Sequence, residues 1–165
     1  MLGHVPTSVC IVTASTASGP VGVTVGSFTS VSLDPPLVVF YAGRTSASAQ
    51  AIVEAGSFSV NVLAEDQQEV CAAFARRTPN RFATGQWDLT GNAAPHLDGA
   101  VAWIHCAVEG SFPAGDHVAV VGHVRDLSAA VGPRRPLLFH GGELVRLDRA
   151  RGVHTPRHSF DWWER

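Results

Sequence analysis

The segment from Gly22 to Leu37, GVTVGSFTSVSLDPPL, constrains the fold more than any other part of the chain. Its apolar residues alternate with small hydroxylated ones, and this period of two is typical of a β-strand with one exposed face. The double proline Pro35-Pro36 has no backbone donors, so the strand has to end there in a turn. Small hydroxyls and glycine also leave the backbone open to a flat polar ligand. Two interpretations follow: a Ser/Thr-rich β-hairpin with one wet face, or the floor of a ligand site.

Two segments have helical character. Ser46–Ala55 begins with hydroxyls and is followed by Gly56, which predicts a helix with both ends capped. Asp66 and Glu69 have the spacing of a capping box for a second helix that runs to about Arg77.

The rest of the pattern predicts short strands and one long surface loop, at 78–95 around Trp87. Many short strands with only two helices between them favour an antiparallel barrel over a doubly wound parallel sheet. The predicted strands are Val9–Ala14, a strand from Val21, Leu37–Ala42, Phe58–Leu63, Ala100–Val108, His117–Leu127 and Pro136–His140.

Composition limits the classes of partner. A chain of 165 residues with a net charge of −2 has room for one core and offers no basic field for nucleic acid. Cys10, Cys71 and Cys106 stand apart in apolar runs, which is typical of reduced thiols in a cytoplasmic protein. We find neither a charged-then-apolar leader nor an apolar run long enough to span a bilayer, so we expect a cytoplasmic protein with no membrane partner.

A candidate anion site stands at the entrance to the first predicted helix, in Arg44-Thr45-Ser46-Ala47-Ser48. Free N–H groups and the positive end of the helix dipole meet hydroxyls and a guanidinium there, which is the chemistry that binds phosphate. A plain N-cap beside an exposed arginine explains the same residues. This segment alone does not separate the two interpretations.

A candidate catalytic residue is His117, which follows a glycine turn in Gly115-Asp116-His117. An imidazole at the start of a strand can face a ligand and donate a hydrogen bond or a proton, although a surface turn explains it equally. The other histidines lack metal-ligand spacing with carboxylates or cysteines, so we expect no metal site. The sequence has no G-x-S-x-G elbow and no G-x-G-x-x-G motif, so any nicotinamide binding requires a different architecture.

Taken in order, several motifs resemble those of the flavin reductase-like family with the FMN-binding split-barrel fold. The resemblance runs from about Pro6 to Leu144. Its motifs are Pro6–Val9 with Ile11–Thr13, Gly22–Phe28, Ser30–Leu37, Phe58–Leu63, Gln67, Phe74-Ala75, Arg81-Phe82, Leu97–Ala100 before Trp103 and Cys106, and Gly115–His117.

The resemblance implies a mainly β fold with a few helices: a Greek-key antiparallel split β-barrel that forms a homodimer, with flavin at the subunit junction. It also implies an NAD(P)H:flavin oxidoreductase, which transfers hydride from NADH or NADPH to FMN or FAD and supplies a separate monooxygenase. Two alternatives stay open. One is a flavin-binding carrier, sensor or scaffold without turnover, and the other is a flavin-dependent enzyme acting on another bound substrate.

Roles carried over by the resemblance concern three groups of residues. The isoalloxazine would be contacted along Thr24, Val25, Gly26 and Ser27, with Phe28 and Ser30 lining the same groove. The flavin phosphate would be held by Arg44, Ser46 and Ser48, and Arg81 would help to hold flavin or dinucleotide phosphate. The nicotinamide and the reactive ring would lie near His117.

Three positions depart from the family pattern. Ser8 replaces a usual glycine, Gly26 stands where the family often has Asn or another side chain, and Leu144 stands where tyrosine is frequent. We predict a domain over 1–145 and a tail over 146–165 that ends in Phe160-Asp161-Trp162-Trp163. Two adjacent tryptophans favour a docked tail over a mobile one.

Overall fold

The computed structural model describes residues 2–76, 78–89 and 94–147. Short 3-10 turns cover Leu2–His4 and Arg81–Ala83. The remaining elements are β1 Thr7–Ser8, β2 Cys10–Thr16, β3 Gly19–Val25, β4 Thr29–Leu33, β5 Pro36–Gly43, α1 Ala47–Ala55, β6 Ser57–Val62, α2 Gln68–Ala75, β7 Trp87–Asp88, β8 His96–Leu97, β9 Ala102–Ala114, β10 His117–Ala129, β11 Leu138–His140 and β12 Glu143–Val145.

Seven strands form the main antiparallel sheet, in the order β3-β2-β6-β9-β10-β5-β4. The sheet curls until its first strand, β3, lies alongside β5 near the opposite end. β3 keeps its ladder with β2 only, so a split separates it from β5. The prediction of a mainly β, antiparallel split barrel is confirmed.

Two apolar clusters hold the barrel. The inner cluster is built around Phe40 and Phe58, whose rings meet edge to face at 5.4 Å. The outer cluster packs α2 against the sheet, with Phe74 and Ile11 fully or almost fully buried. Gly22 permits this docking, because a Cβ there would stand 2.8 Å from the Phe74 ring. Gly22 in β3 is therefore needed for packing against α2, whether or not β3 also contacts a ligand.

The first helix forms as predicted. Ser46 is its N-cap, and its Oγ accepts a hydrogen bond from the Ala49 N–H at 3.3 Å. Gly56 closes the helix in the left-handed conformation, at φ 72°, which glycine adopts without strain.

The start of the second helix differs from the prediction. Gln67 is the N-cap and makes no side-chain capping bond, so the capping box of Asp66 and Glu69 is wrong. The Gln67 amide instead accepts from Ala64 N–H and donates to the Asp98 carbonyl, which ties the helix entrance to the segment after β8. The helix ends at Ala75, and the predicted end, Arg77, lies outside the described residues.

In the region predicted as a long surface loop, part of the described residues, 78–89 and 94–95, packs against the barrel. Trp87 starts the short β7, which pairs with β8, and its ring packs at 5.3 Å from Phe74 and 5.0 Å from Phe82. Pro95 and Leu97 are buried. The polar composition of this segment predicts a loop, because the apolar residues that pack it against the barrel are few and widely spaced in the sequence.

The three cysteines are buried and free, as predicted. Burial raises the pKa of Cys10 and of Cys106 to about 12, so both stay thiols. No helix in the described ranges is long and apolar enough to cross a membrane. The predicted tail falls outside the described residues except for Arg146 and Leu147, and its boundary stays a prediction.

Candidate functional site

A groove of about 460 Å³ occupies the split between β3 and β5. Because β3 is an edge strand, its backbone N–H and C=O groups on the side away from β2 face this groove. Its volume lies within the roughly 300–1,000 Å³ usual for small-molecule pockets. The lining residues are Val23, Thr24, Val25, Gly26, Ser27, Tyr41, Ala42, Gly43, Ser46 and His117.

Ser27 holds the two sides of the split together just beyond the end of β3. Its Oγ accepts from the Tyr41 N–H at 3.0 Å and donates to the Tyr41 carbonyl at 2.9 Å. The Ser27 hydroxyl thus bonds both the N–H and the C=O of Tyr41, two groups that a neighbouring strand would otherwise pair with. The hydroxyl for which the resemblance implies a flavin contact therefore also has a structural role, and Ser27 lines the groove.

His117 reaches the groove through strand register. It lies opposite Gly43, the last residue of β5, although the two are distant in sequence. Its Nδ1 is 2.6 Å from the Asp116 carboxylate, which fixes the ring and leaves Nε2 for another group. The hydrogen bond to His117, reinforced by the charge of the ring, holds the pKa of Asp116 below its usual range.

The three predicted phosphate ligands Arg44, Ser46 and Ser48 do not converge on one point. Ser46 is buried and occupied as the α1 cap, although it lines the groove. Arg44 turns to the β9–β10 turn, where its backbone N–H donates to the Asp116 carbonyl at 3.0 Å and its guanidinium to the Gly115 carbonyl at 3.4 Å. These bonds join the α1 entrance to the strand that carries His117.

Ser48 meets Arg81 instead. The Arg81 guanidinium donates to Ser48 Oγ at 3.1 Å, and its carbon lies 5.5 Å from the centre of the Phe74 ring. The aromatic face favours a cation at this place. The structure therefore pairs two of the predicted phosphate residues, Ser48 in the first turn of α1 and Arg81 in the 3-10 turn Arg81–Ala83.

The remaining predicted contacts differ in how far they are exposed. Val25 is buried in the inner cluster, and Phe28 packs partly against it. Ser30 is exposed on β4. Thr24 donates weakly to the Cys71 carbonyl of α2, at 3.5 Å. Their roles toward flavin stay predictions.

Gly26 and Leu144, two of the three positions that depart from the family pattern, line one apolar cavity of about 300 Å³ behind β3. A Cβ at Gly26 would stand 2.9 Å from Thr7 Oγ1, so the glycine also permits the close approach of β1. The two departures thus lie together in space, although Gly26 and Leu144 are 118 positions apart in the sequence.

A buried polar cluster went unnoticed in the sequence. Asn61 and Thr13, both fully buried, share the carbonyl of Pro95, and Asn61 Oδ1 accepts from the Leu97 N–H at 2.8 Å. The pattern that could have predicted this cluster is in β6, where Ser59 and Asn61 alternate with Phe58 and Val60. Such alternation places the two polar residues on the face of the sheet opposite the inner cluster.

Two histidines extend this buried cluster. Ser59 Oγ lies 3.0 Å from His96 Nε2 and 3.3 Å from His105 Nδ1. Burial, and then the charge of His105, lowers the pKa of His96, while Asp88 and Asp126 oppose the shift. Among the described residues, no group of three or more His, Cys, Asp and Glu side chains is arranged to hold a metal ion.

Comparison with known proteins places the chain in a family. It is 44% identical over 143 residues to a flavin reductase of Pseudomonas putida, covering 86% of this chain and 84% of that protein. It is 40% identical over 156 residues to the reductase subunit of a flavin-dependent monooxygenase of Rhodococcus jostii, covering 94% of this chain and 80% of the other.

A solved structure supports the same relationship. The NADH:FAD oxidoreductase of Streptomyces globisporus, in complex with NAD and FAD fragments, superposes with a TM-score of 0.84 at 35% identity, covering 90% of this chain and 89% of that one. The family model described as the flavin reductase like domain matches residues 2–148. The resemblance seen in the motifs is confirmed: this chain belongs to the flavin reductase-like family.

Proposed function

We propose that the chain is an NAD(P)H-dependent flavin reductase that uses FMN or FAD as its flavin. The observation that carries the proposal is the groove at the split, where the small-residue strand β3, the cap of α1 and His117 meet. A relative with 44% identity carries the name flavin reductase, and a solved structure with the same fold carries the name NADH:FAD oxidoreductase.

The residues of the groove fit a flat, polar ring. The exposed edge of β3 presents alternating donors and acceptors, and Gly26 and Ser27 add little bulk. An isoalloxazine has a donor and several acceptors along one edge, so it matches a strand edge as a partner strand would. Ser27 keeps this edge available by holding the split at a fixed width through Tyr41.

The protein's task is positioning. Hydride passes between nicotinamide and flavin as chemistry of the two substrates themselves, so no protein nucleophile is needed. Asp116 fixes the His117 ring, and Nε2 faces the bound groups as an acceptor in the neutral ring or a donor in the charged one. Ser48 and Arg81 hold the flavin phosphate at the start of α1.

We further propose that the chain acts as a homodimer and supplies reduced flavin to a separate monooxygenase. A relative with 40% identity carries the name of a reductase subunit of a flavin-dependent monooxygenase, which supports the second part. Exposed apolar side chains on the barrel, including Val31, Leu33 and Phe112, support the first.

The test follows NADH and NADPH oxidation at 340 nm with FMN or FAD added, under anaerobic conditions. We expect a rate that requires both a nicotinamide and a flavin, with reduced flavin released into solution. A flavin that stays bound and is not bleached by either nicotinamide would instead indicate a binding protein without turnover. No flavin-dependent oxidation with any of the four pairs would reject the proposal.

A further inference from the structure

The apolar cavity behind β3, of about 300 Å³, has three walls. The first is β3 with the residue after it, the second is α2, and the third is the small sheet β1-β11-β12. Packed protein interiors leave few spaces larger than a water molecule, so a cavity of this volume is a candidate binding site. The residues that form these walls are, in that order, Thr24 and Gly26, then Ala72 and Ala75, then Phe139 and Leu144.

The lining of the cavity indicates the class of its ligand. None of the described residues that line it is charged, so the ligand is neutral. Burial raises the pKa of the Cys71 thiol, which therefore also stays neutral at this wall. An apolar cavity of about 150 Å³ holds one benzene ring, so the present volume suits a molecule of one or two fused aromatic rings.

One polar group faces this space. The Thr24 hydroxyl donates to the Cys71 carbonyl at 3.5 Å, so it points from β3 toward α2, across the cavity. A hydroxyl oxygen that donates one hydrogen bond still accepts others. The cavity therefore fits an aromatic molecule that carries a single N–H or O–H donor.

The apolar character of the cavity depends on two residues that depart from the family pattern. Gly26 stands where the family often has Asn or another side chain, and Leu144 stands where tyrosine is frequent. An amide and a phenol at these two positions would bring polar atoms to the lining, whereas glycine and leucine bring none. The ligand is therefore expected of this chain rather than of every member of the family.

The strand β3 separates the cavity from the groove. Thr24 and Gly26 line both spaces. Since β3 has a ladder with β2 only, its free edge is positioned by Ser27 just beyond the strand and by what packs behind it. A molecule in the cavity would pack against the same residues that the groove presents to a flavin, from the opposite side.

We propose that the apolar cavity binds a small neutral aromatic molecule with a single N–H or O–H donor, which strengthens flavin binding by packing behind β3. The binding site itself goes beyond the proposed function, and its effect on flavin rests on that function. Coupling between two sites is reciprocal, so the flavin must strengthen binding of the aromatic ligand by the same factor.

Isothermal titration calorimetry with indole, without flavin or nicotinamide, tests the site. Indole is neutral, bicyclic and has one N–H, and we expect a Kd on the order of 0.1 mM for a ligand of this size. Ala72→Leu fills the cavity from α2 and should weaken indole binding at least tenfold, whereas Ala129→Leu, at an exposed position of β10, should not change it. Leu144→Trp fills the cavity from the opposite wall and replaces Ala72→Leu if the latter fails to fold. No binding at millimolar indole, or wild-type affinity in the filled variants, would overturn the proposal.

A pair of probes tests the hydroxyl. Thr24→Val keeps the shape of the side chain and removes the acceptor, so it should weaken indole binding severalfold. It should leave the affinity for 1-methylindole, which has no N–H, unchanged. Equal losses for the two probes would contradict recognition of a donor and so the class of ligand proposed.

Titration of FMN with and without saturating indole tests the coupling. We expect indole to tighten FMN binding about threefold in the wild-type protein and to have no effect in Ala72→Leu. Unchanged FMN affinity would overturn the effect on flavin. Weaker FMN binding, or a KM for NADH that indole raises, would assign the cavity to flavin or nicotinamide and overturn the proposal. Failure of the reductase function would appear separately, as absent NADH oxidation in the wild-type protein, because the indole titration needs neither substrate.

Two further measurements distinguish other occupants of the cavity. Indole binding that appears only in the full chain with Trp162→Ala and Trp163→Ala would mean that the chain's own C-terminal residues occupy it. Sedimentation velocity that shows a wild-type dimer dissociating in Ala72→Leu would assign the cavity to a second copy. Either result would overturn the proposal, and we expect neither.

Discussion

Histidines occupy two contrasting environments in this barrel. His117 is exposed at the rim of the groove, and its partner is the exposed carboxylate of Asp116. His96 and His105 lie against the interior and share the hydroxyl of buried Ser59. The Asp116 carboxylate bonds one ring nitrogen of His117 and leaves the other for a ligand. The Ser59 hydroxyl instead bonds both His96 and His105, so these two rings help to hold the strands together. We propose the first environment as a site for chemistry, whereas the hydrogen bonds of the second indicate a role in stability.

The largest effect is expected in the buried cluster, from Asn61→Ala. The substitution removes the acceptor of the Leu97 N–H and the donor to the Ile11 and Pro95 carbonyls. Because Leu97 is almost fully buried, its N–H would lose its partner away from water. We expect the free energy of unfolding to fall by about 3 kcal/mol.

Urea denaturation measures this loss, and Gln86→Ala, at an exposed position, is the control that should stay within about 0.5 kcal/mol of the wild-type protein. A loss below about 1 kcal/mol for Asn61→Ala would mean that the cluster contributes little to stability. The division between the two histidine environments would then lose its physical basis.

The next effect concerns activity. His117→Ala should lower the rate of hydride transfer about tenfold, while flavin affinity changes less and stability stays within about 0.5 kcal/mol because the residue is exposed. Stopped-flow measurement of flavin reduction gives the rate, and His140→Ala on the exposed β11 is the matched control. Wild-type kinetics in His117→Ala would remove this residue from the site.

Local sequence patterns predict some of these features and not others. The cap at Ser46 and the strand mouth at His117 depend on neighbours along the chain, so local patterns predicted both. Asn61 and Ser59 acquire meaning only when the 94–97 segment folds over β6, and no local pattern encodes that contact. Likewise, Arg44 and Ser48 are close in sequence, yet Arg44 lies in the turn before α1 and Ser48 in its first turn, and their side chains bond to different partners, Gly115 and Arg81.

The smallest effect is a pH dependence of stability carried by His96. Its pKa in the folded protein is lowered, mainly by burial and then by His105, while Asp88 and Asp126 act against the shift and Ser59 bonds the ring. In the unfolded chain His96 titrates near the ordinary value of 6.5, so below that pH the unfolded state binds more protons than the folded state. Stability should therefore fall as the pH drops through this range and be unaffected by His96 above it.

Urea unfolding at several pH values between 5 and 8 measures this dependence. We expect His96→Gln to flatten the acid side of the curve of stability against pH, whereas His140→Gln keeps the wild-type slope. A wild-type slope in His96→Gln would show that protonation of His96 does not contribute to the pH dependence of stability.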